Sequence, residues 1–148
     1  MRALIQRVTR GAVSIDNIET AAINAGMVVL LGVMRDDTAE AATYLAKRTA
    51  ELRIFDDADG VPNVSVKDNG GEVLVVSQFT LCADTHKGNR PSYINAAAPE
   101  IAEPLYLMYV DELRTMIGAD KVKTGVFRAM MEVTIVNDGP FTLLIESK

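Results

Sequence analysis

Four consecutive residues, Ser77-Gln78-Phe79-Thr80, offer the best-placed chemistry in the sequence. They follow the apolar run Glu72-Val73-Leu74-Val75-Val76. A buried strand that breaks into polar side chains at its C-terminal end is a usual place for a site in α/β architecture. In extended geometry Gln78 and Thr80 share one face, and Ser77 and Phe79 the other. Two hydroxyls, an amide and an aromatic ring can bind and orient a polar substrate. No basic residue stands beside Thr80 in sequence to activate its hydroxyl. Taken alone, the segment reads slightly better as a strand end leaving the core.

Other reactive types are sparse. One cysteine and one histidine leave a zinc site to be completed by carboxylates, so no metal is expected. Cys82 and His86 lie four apart, a spacing open to a nucleophile and its base. The plainer reading is a half-buried thiol and an exposed loop imidazole, because nothing nearby supplies the electropositive setting that activates a thiol. Asp56-Asp57-Ala58-Asp59-Gly60 clusters carboxylates without the glycine and glutamate placement of a calcium loop, so it reads as a solvated turn. Thr85 to Tyr93 is a short basic loop. Lys87 and Arg90 can meet phosphates there and Tyr93 can stack on a base, or the loop is simply solvated. Lys121 and Lys123 can extend that patch. Asn137-Asp138-Gly139-Pro140 is an ordinary hairpin turn on one reading. On the other it holds a cis Gly-Pro bond that sets two carbonyls side by side.

Composition limits what these residues can serve. A chain of 148 residues, 49% apolar, can bury the core of one domain. The longest apolar run, Met27–Val33, is far too short to span a bilayer, and the early charges Arg2 and Arg7 do not suit a signal peptide. One cysteine fits a reducing compartment, so a cytoplasmic location is expected. A net charge of −5 opposes contact along a nucleic-acid backbone but leaves room for an enzyme that grips one end of an RNA.

The elements that must position the chemistry follow from periodicity. Arg2–Val8 alternates as a strand, Gly11 suggests a turn into Ala12–Ile15, and Asp16-Asn17 turns again. Met27–Val33 reads as a strand covered on both faces. Asp37–Arg53 reads as a helix capped by Asp37 with Glu40 three residues on; Ala42, Leu45, Ala46, Thr49 and Leu52 form its stripe. Val61–Val66 alternates weakly, and Asp68–Gly71 is a turn signal. A second helix spans Pro99 to Ile117, with Ile101, Leu105, Met108, Leu113 and Met116 as its stripe and Gly118 at its end. Met131–Val136 and Phe141–Glu146 close the chain as two strands about Asn137–Pro140. About seven strands and two long helices predict a mixed α/β domain over residues 1–148.

Together, the motifs carry a likeness. Ser77-Gln78-Phe79-Thr80-Leu81 and Asn137-Asp138-Gly139-Pro140-Phe141-Thr142 resemble the two signatures of the D-aminoacyl-tRNA deacylase family. The resemblance runs along nearly the whole chain, through Met1–Val8, Leu52–Phe55, Gly70–Val76 and Lys87–Ser92. It implies a mostly antiparallel, barrel-like sheet with two main helices, and a homodimer whose active sites lie at the subunit interface. Ser77, Gln78, Phe79 and Thr80 would line the pocket. Gly139-Pro140, expected to be cis, would enter the other subunit's pocket, where its carbonyls meet the substrate's α-amino group and exclude an L side chain.

The resemblance also implies the reaction: hydrolysis of the ester joining a D-amino acid to the tRNA 3′ end. Glycine, having no side chain, would escape rejection, so glycyl-tRNA mischarged on tRNA(Ala) would also be cleaved. Backbone N–H groups near Phe79 and Thr80 would hold the oxyanion, the RNA's 2′-hydroxyl would assist attack, and no cofactor is implied. Phe127 and Met131 match positions lining the adenosine side. The chain departs from the family's Phe-Gly-Ala-Asp-Met at Phe127-Arg128-Ala129-Met130-Met131. Arg128 would be strained wherever positive φ is required, yet it could supply a phosphate contact beside Lys87 and Arg90. A sister group carries Gly-Thr and clears L-alanine; Pro140 opposes that assignment. An RNA-end binding module and a small D-ester hydrolase are the other classes to separate.

Overall fold

Apolar, β-branched runs pair first with their neighbours in the chain. The computed structural model describes residues 1–148. Its first strand, β1 (Arg2–Ile15), runs unbroken through Gly11, where a turn is expected. Gly11 serves close packing instead: a Cβ there would stand 2.6 Å from Val28 Cγ2. Asp16 and Asn17, at φ 50° and 63°, make the hairpin to β2 (Ile18–Ile23), the positive-φ pair that a two-residue turn needs.

β3 (Gly26–Gly32) pairs antiparallel with Arg2–Val8 of β1, while β2 takes Gly11–Ile15. β6 (Glu72–Ser77) joins β3 in parallel, and β7 (Val122–Thr124) joins β6 in parallel. The last strand, β8 (Glu132–Glu146), is antiparallel to β1 along nearly its whole length. These six strands curl into a nearly closed, barrel-like sheet. Between β3 and β6 lie α1 (Ala39–Ala50), the hairpin β4 (Arg53–Asp56) and β5 (Pro62–Ser65), and the single turn α2 (Val66–Asn69), which ends on left-handed Gly70. That turn of helix and its glycine stand where Asp68–Gly71 predicts a plain turn. The helix α3 (Pro99–Ile117) connects toward β7.

Three expectations are corrected. Helix α1 begins at Ala39, because the Asp37 carboxylate is taken by the Met1 ammonium and the Met34 N–H. Thr38 stands at the N-cap position, and the helix stops at Ala50 so that Arg53 can enter β4. The α3 stripe is rotated: Tyr106, Tyr109, Val110 and Leu113 are buried, while Ile101 and Met108 are exposed. The tyrosines take the core face because each hydroxyl finds a partner there, Tyr106 on the Val75 carbonyl and Tyr109 on Thr49. Finally, Asn137–Pro140 is no hairpin. From Gln6 to Val8 the chain advances two residues while β8 advances five, from Asn137 to Thr142. Three extra residues are therefore lifted out of one continuous strand as a bulge, which is where a sheet tolerates proline.

Period-two alternation covers both faces of the central strands. Met27, Val29, Leu31, Val73 and Val75 face α1 and α3 in the main core. Val28, Leu74 and Val76 meet Val8, Val13 and Ile23 on the other face. Tyr109 Oη lies 2.7 Å from Thr49 Oγ1, fully buried between the two helices. Tyr109→Phe should cost about 1 kcal/mol, one net hydrogen bond, because Thr49 Oγ1 keeps its bond to the Leu45 carbonyl; the loss is read as a lower urea midpoint with an unchanged slope. No helix is long and apolar enough to cross a membrane.

Candidate active site

The site begins where β6 runs out. The Gln78 N–H makes a last ladder bond to the Leu31 carbonyl at 2.8 Å, and the chain then tightens into a 3₁₀ turn over Phe79–Cys82. Gly32 permits this: a Cβ there would meet Gln78 O at 3.1 Å and Cys82 Sγ at 3.0 Å. The first bond of the turn runs from the Leu81 N–H to the Gln78 carbonyl. The N–H groups of Phe79 and Thr80 precede it, so the turn's own pattern leaves both free to bind a ligand.

Extended geometry is thus replaced after Gln78, yet Gln78 and Thr80 still meet. Gln78 Nε2 donates to Thr80 Oγ1 at 2.5 Å, and no carboxylate or imidazole bonds that hydroxyl. Cys82 is buried rather than half-buried. Its Sγ reaches the Val33 carbonyl at 3.3 Å, and burial pushes its thiol up from the ordinary cysteine range. A neutral, packed thiol is a poor nucleophile. His86 is exposed and paired only with Asp84, whose carboxyl is held low by the His86 N–H and ring. The Asp57 carboxylate accepts the Asp59 and Val61 N–H groups, as a solvated turn requires. No cluster of three metal-ligating side chains occurs in the chain.

Beside the turn opens a cleft of about 610 Å³. Ser77, Gln78 and Phe79 form one wall, and Phe127 to Met131 form the facing one. Tyr93, Ala97, Tyr106, Leu31, Val76 and Val133 also line the cleft. Thr80 is exposed and is not part of this lining. Phe79 is 60% exposed and packs edge-on against Tyr93 with ring centroids 5.1 Å apart, so Tyr93 is engaged by the site itself. Burial raises Tyr106 to about 12, and its hydroxyl donates to the Val75 carbonyl at 3.0 Å. It therefore stays protonated near neutrality and cannot serve as a base.

The facing wall is shaped by a turn. The Ala129 N–H bonds the Val126 carbonyl at 3.2 Å, and Arg128 at its third position has φ 64°. That is the positive-φ place that such turns reserve for glycine. The expected strain at Arg128 is therefore present. Gly125 lets Met131 fold over the wall, since a Cβ there would lie 2.7 Å from Met131 Sδ.

The remaining predicted residues stand apart from the cleft. Lys87 and Arg90 lie on an exposed loop tied at its base by two backbone bonds between Asp84 and Ser92. The Gly139-Pro140 bond is cis, and both residues are exposed on the β8 bulge, outside the cleft. Arg7 anchors that bulge. Its buried guanidinium bonds the Asp138 carbonyl at 3.2 Å, the Asp138 carboxylate at 3.0 Å and the Ile54 carbonyl at 2.8 Å. Asn137 Nδ2 adds a bond to the Arg7 carbonyl at 2.9 Å. An apolar cleft with free amide donors and no acid or base poised near neutrality can hold an oxyanion. It suits a substrate whose acyl group is already activated.

The sequence matches the family model described as D-Tyr-tRNA(Tyr) deacylase over residues 4–146. The chain belongs to the D-aminoacyl-tRNA deacylase family. It is 50% identical to the D-aminoacyl-tRNA deacylase of Flavobacterium psychrophilum over 148 residues, covering 100% of this chain and 98% of that protein. It is 53% identical to that of Syntrophotalea carbinolica over 147 residues, covering 99% and 97%. A solved structure titled "c-Myc DNA Unwinding Element Binding Protein" superposes with a TM-score of 0.96 at 39% identity, covering 100% of this chain and 99% of that one. A structure titled as a probable eukaryotic D-amino acid tRNA deacylase shares the fold, with a TM-score of 0.87 at 18% identity over 98% of both chains. Like its family, the chain is an enzyme that hydrolyses ester bonds. Two residues that shape this arrangement give no signal in the sequence pattern. Tyr106 was hidden in a helical stripe read as aliphatic, and Arg7 in a strand whose polar positions pass for solvent-facing.

Proposed function

We propose that the chain, one domain over residues 1–148, removes D-amino acids from the 3′ end of tRNA in the cytoplasm. The observation that carries this reading is the pair of free N–H groups of Phe79 and Thr80 at the edge of an apolar cleft without base or nucleophile. Such donors are worth about 3–4 kcal/mol each when aimed at a developing oxyanion. The terminal adenosine lies against Phe127 and Met131, and its ribose 2′-hydroxyl assists the attacking water.

Selection requires a second protomer. The Gly139-Pro140 bulge projects from β8, outside its own cleft, and β8 pairs with no strand but β1. The strand leaves Val136, Leu143 and Leu144 exposed, as a self-associating surface would. In a homodimer the bulge enters the partner's cleft, its carbonyls receive the substrate ammonium, and an L side chain meets the bulge. Glycine passes, so glycyl-tRNA(Ala) is a second substrate.

The test is release of amino acid from D-Tyr-tRNA, L-Tyr-tRNA, L-Ala-tRNA, Gly-tRNA(Ala) and a small D-tyrosine ester. Cleavage of the first and fourth alone is expected. Equal cleavage of the two tyrosyl-tRNAs defeats the exclusion. Thr80→Ala should retain kcat within about fivefold, because oxyanion stabilisation comes from the backbone. A loss of three or more orders of magnitude would restore a nucleophilic threonine.

A further inference from the structure

We propose that Arg128 binds a phosphodiester oxygen of the RNA strand entering the cleft, at the phosphate immediately 5′ of the terminal nucleoside. This rests on the aminoacyl-tRNA reading above. Arg128 sits at φ 64° on the cleft wall, a conformation that glycine adopts without steric cost. An arginine held there normally has a local contact to offset the strain, and this one has none. Six of the nine arginines hold a protein oxygen; Arg48, Arg90 and Arg128 hold none, and of these three only Arg128 has positive φ and lines the cleft. Strain held without internal compensation belongs to a functional site.

The surroundings say which ligand. Beside Arg128 the lip is otherwise apolar, with Met130 91% exposed and Met131 folded over the wall. A hollow of about 260 Å³ sharing both methionines carries Asp16 and Glu132, which repel an incoming polyanion. In a chain of net charge −5, a strand whose last nucleoside fills the cleft must bring its next phosphate past this lip. A planar guanidinium is suited to receive it.

The experiment compares kcat/KM of wild type, Arg128→Gln, Arg128→Lys and Arg128→Gly on a D-aminoacyl-tRNA and on D-aminoacyl-adenosine, which lacks the phosphate. Salt is varied for the tRNA ester. Arg128→Gln should lower the ratio of tRNA to adenosine rates about tenfold, the loss of one charge-assisted bond. The log–log salt dependence should become shallower by about 0.7, as for one single-strand phosphate contact. Arg128→Lys should keep the wild-type slope. Arg128→Gly should melt higher than wild type, since the backbone is relieved, yet show the same shallow slope as Arg128→Gln. An unchanged slope in Arg128→Gln, or an equal loss on both esters, overturns the assignment. A wild-type protein inert on both esters overturns the deacylase reading itself, and this inference with it.

Discussion

Gly139→Ala is expected to fold as the wild type does and to lose about a hundredfold in kcat/KM for D-aminoacyl-tRNA, the scale of a 1 Å misplacement at a reacting centre. Within the protomer the substitution is benign. The new Cβ would find Asn137 Oδ1 at 3.4 Å as its nearest neighbour, and Gly139 is not among the glycines with positive φ. Replacing glycine at such a position changes stability by less than about 1 kcal/mol, often favourably. A large loss of activity without a loss of stability must then arise outside the chain's own packing, as the proposed entry of the bulge into a partner's cleft requires. Mixing supplies the sharper readout. Gly139→Ala has a sound cleft and a blocked bulge, and Phe79→Ala, which strips from the cleft the ring packed on Tyr93, should have the reverse, so each mixed dimer rebuilds one whole site from opposite halves. Random exchange should restore roughly a quarter of wild-type activity, given two equivalent sites in a symmetric dimer. If the mixture is no more active than its components, the bulge does not serve the neighbouring cleft.

Much of this architecture could be read before any coordinates, and the places where reading failed share a cause. Runs such as Met27–Val33 and Val73–Val76 declare themselves, because strands buried on both faces have little choice of composition. The Ser77–Thr80 segment was legible as a strand end, though its change into a 3₁₀ turn was not. That change depends on Gly32, a residue 45 positions earlier whose missing side chain makes room for the turn. Gly11 misled in the same way: a glycine that admits Val28 looks in sequence like one that turns the chain. Asn-Asp-Gly-Pro is strong turn chemistry, and it does bend the backbone, but ladder bonds to β1 on both sides keep it within one strand. Local signals report what the backbone can do, and tertiary pairing decides which option is used.

Arg7→Gln is the companion test, because it removes the support of the bulge rather than its tip. The guanidinium is buried and grips four protein oxygens, in Ile54, Asp56 and Asp138, while its Cζ lies 4.4 Å from the centre of the Phe141 ring. A shorter, neutral amide cannot reach Ile54 and Asp138 together, and it gives up both charge pairs. The Asp56 and Asp138 carboxylates are about half exposed, so water takes over part of their solvation and the full penalty of a buried pair does not apply. A cost of about 2–3 kcal/mol remains, chiefly from the buried carbonyl and the lost packing, and should appear as a fall in Tm of roughly 5–10 °C. The functional effect should be separable from it. With Asp138 released, Gly139-Pro140 keeps the flanking pairing with β1, and the Asn137 bonds to the Arg7 and Phe141 carbonyls are its remaining side-chain support. Assayed well below the melting range, the variant should lose D-over-L discrimination together with about a hundredfold in kcat, as the role proposed for the bulge in positioning the ammonium and excluding the L side chain requires. Arg7→Lys should recover part of the stability but little of the discrimination, because one ammonium cannot replace a fork that holds two strands at once. If fully folded Arg7→Gln still rejects L-Tyr-tRNA as wild type does, then β8 alone holds the bulge and the proposed role of Arg7 is wrong.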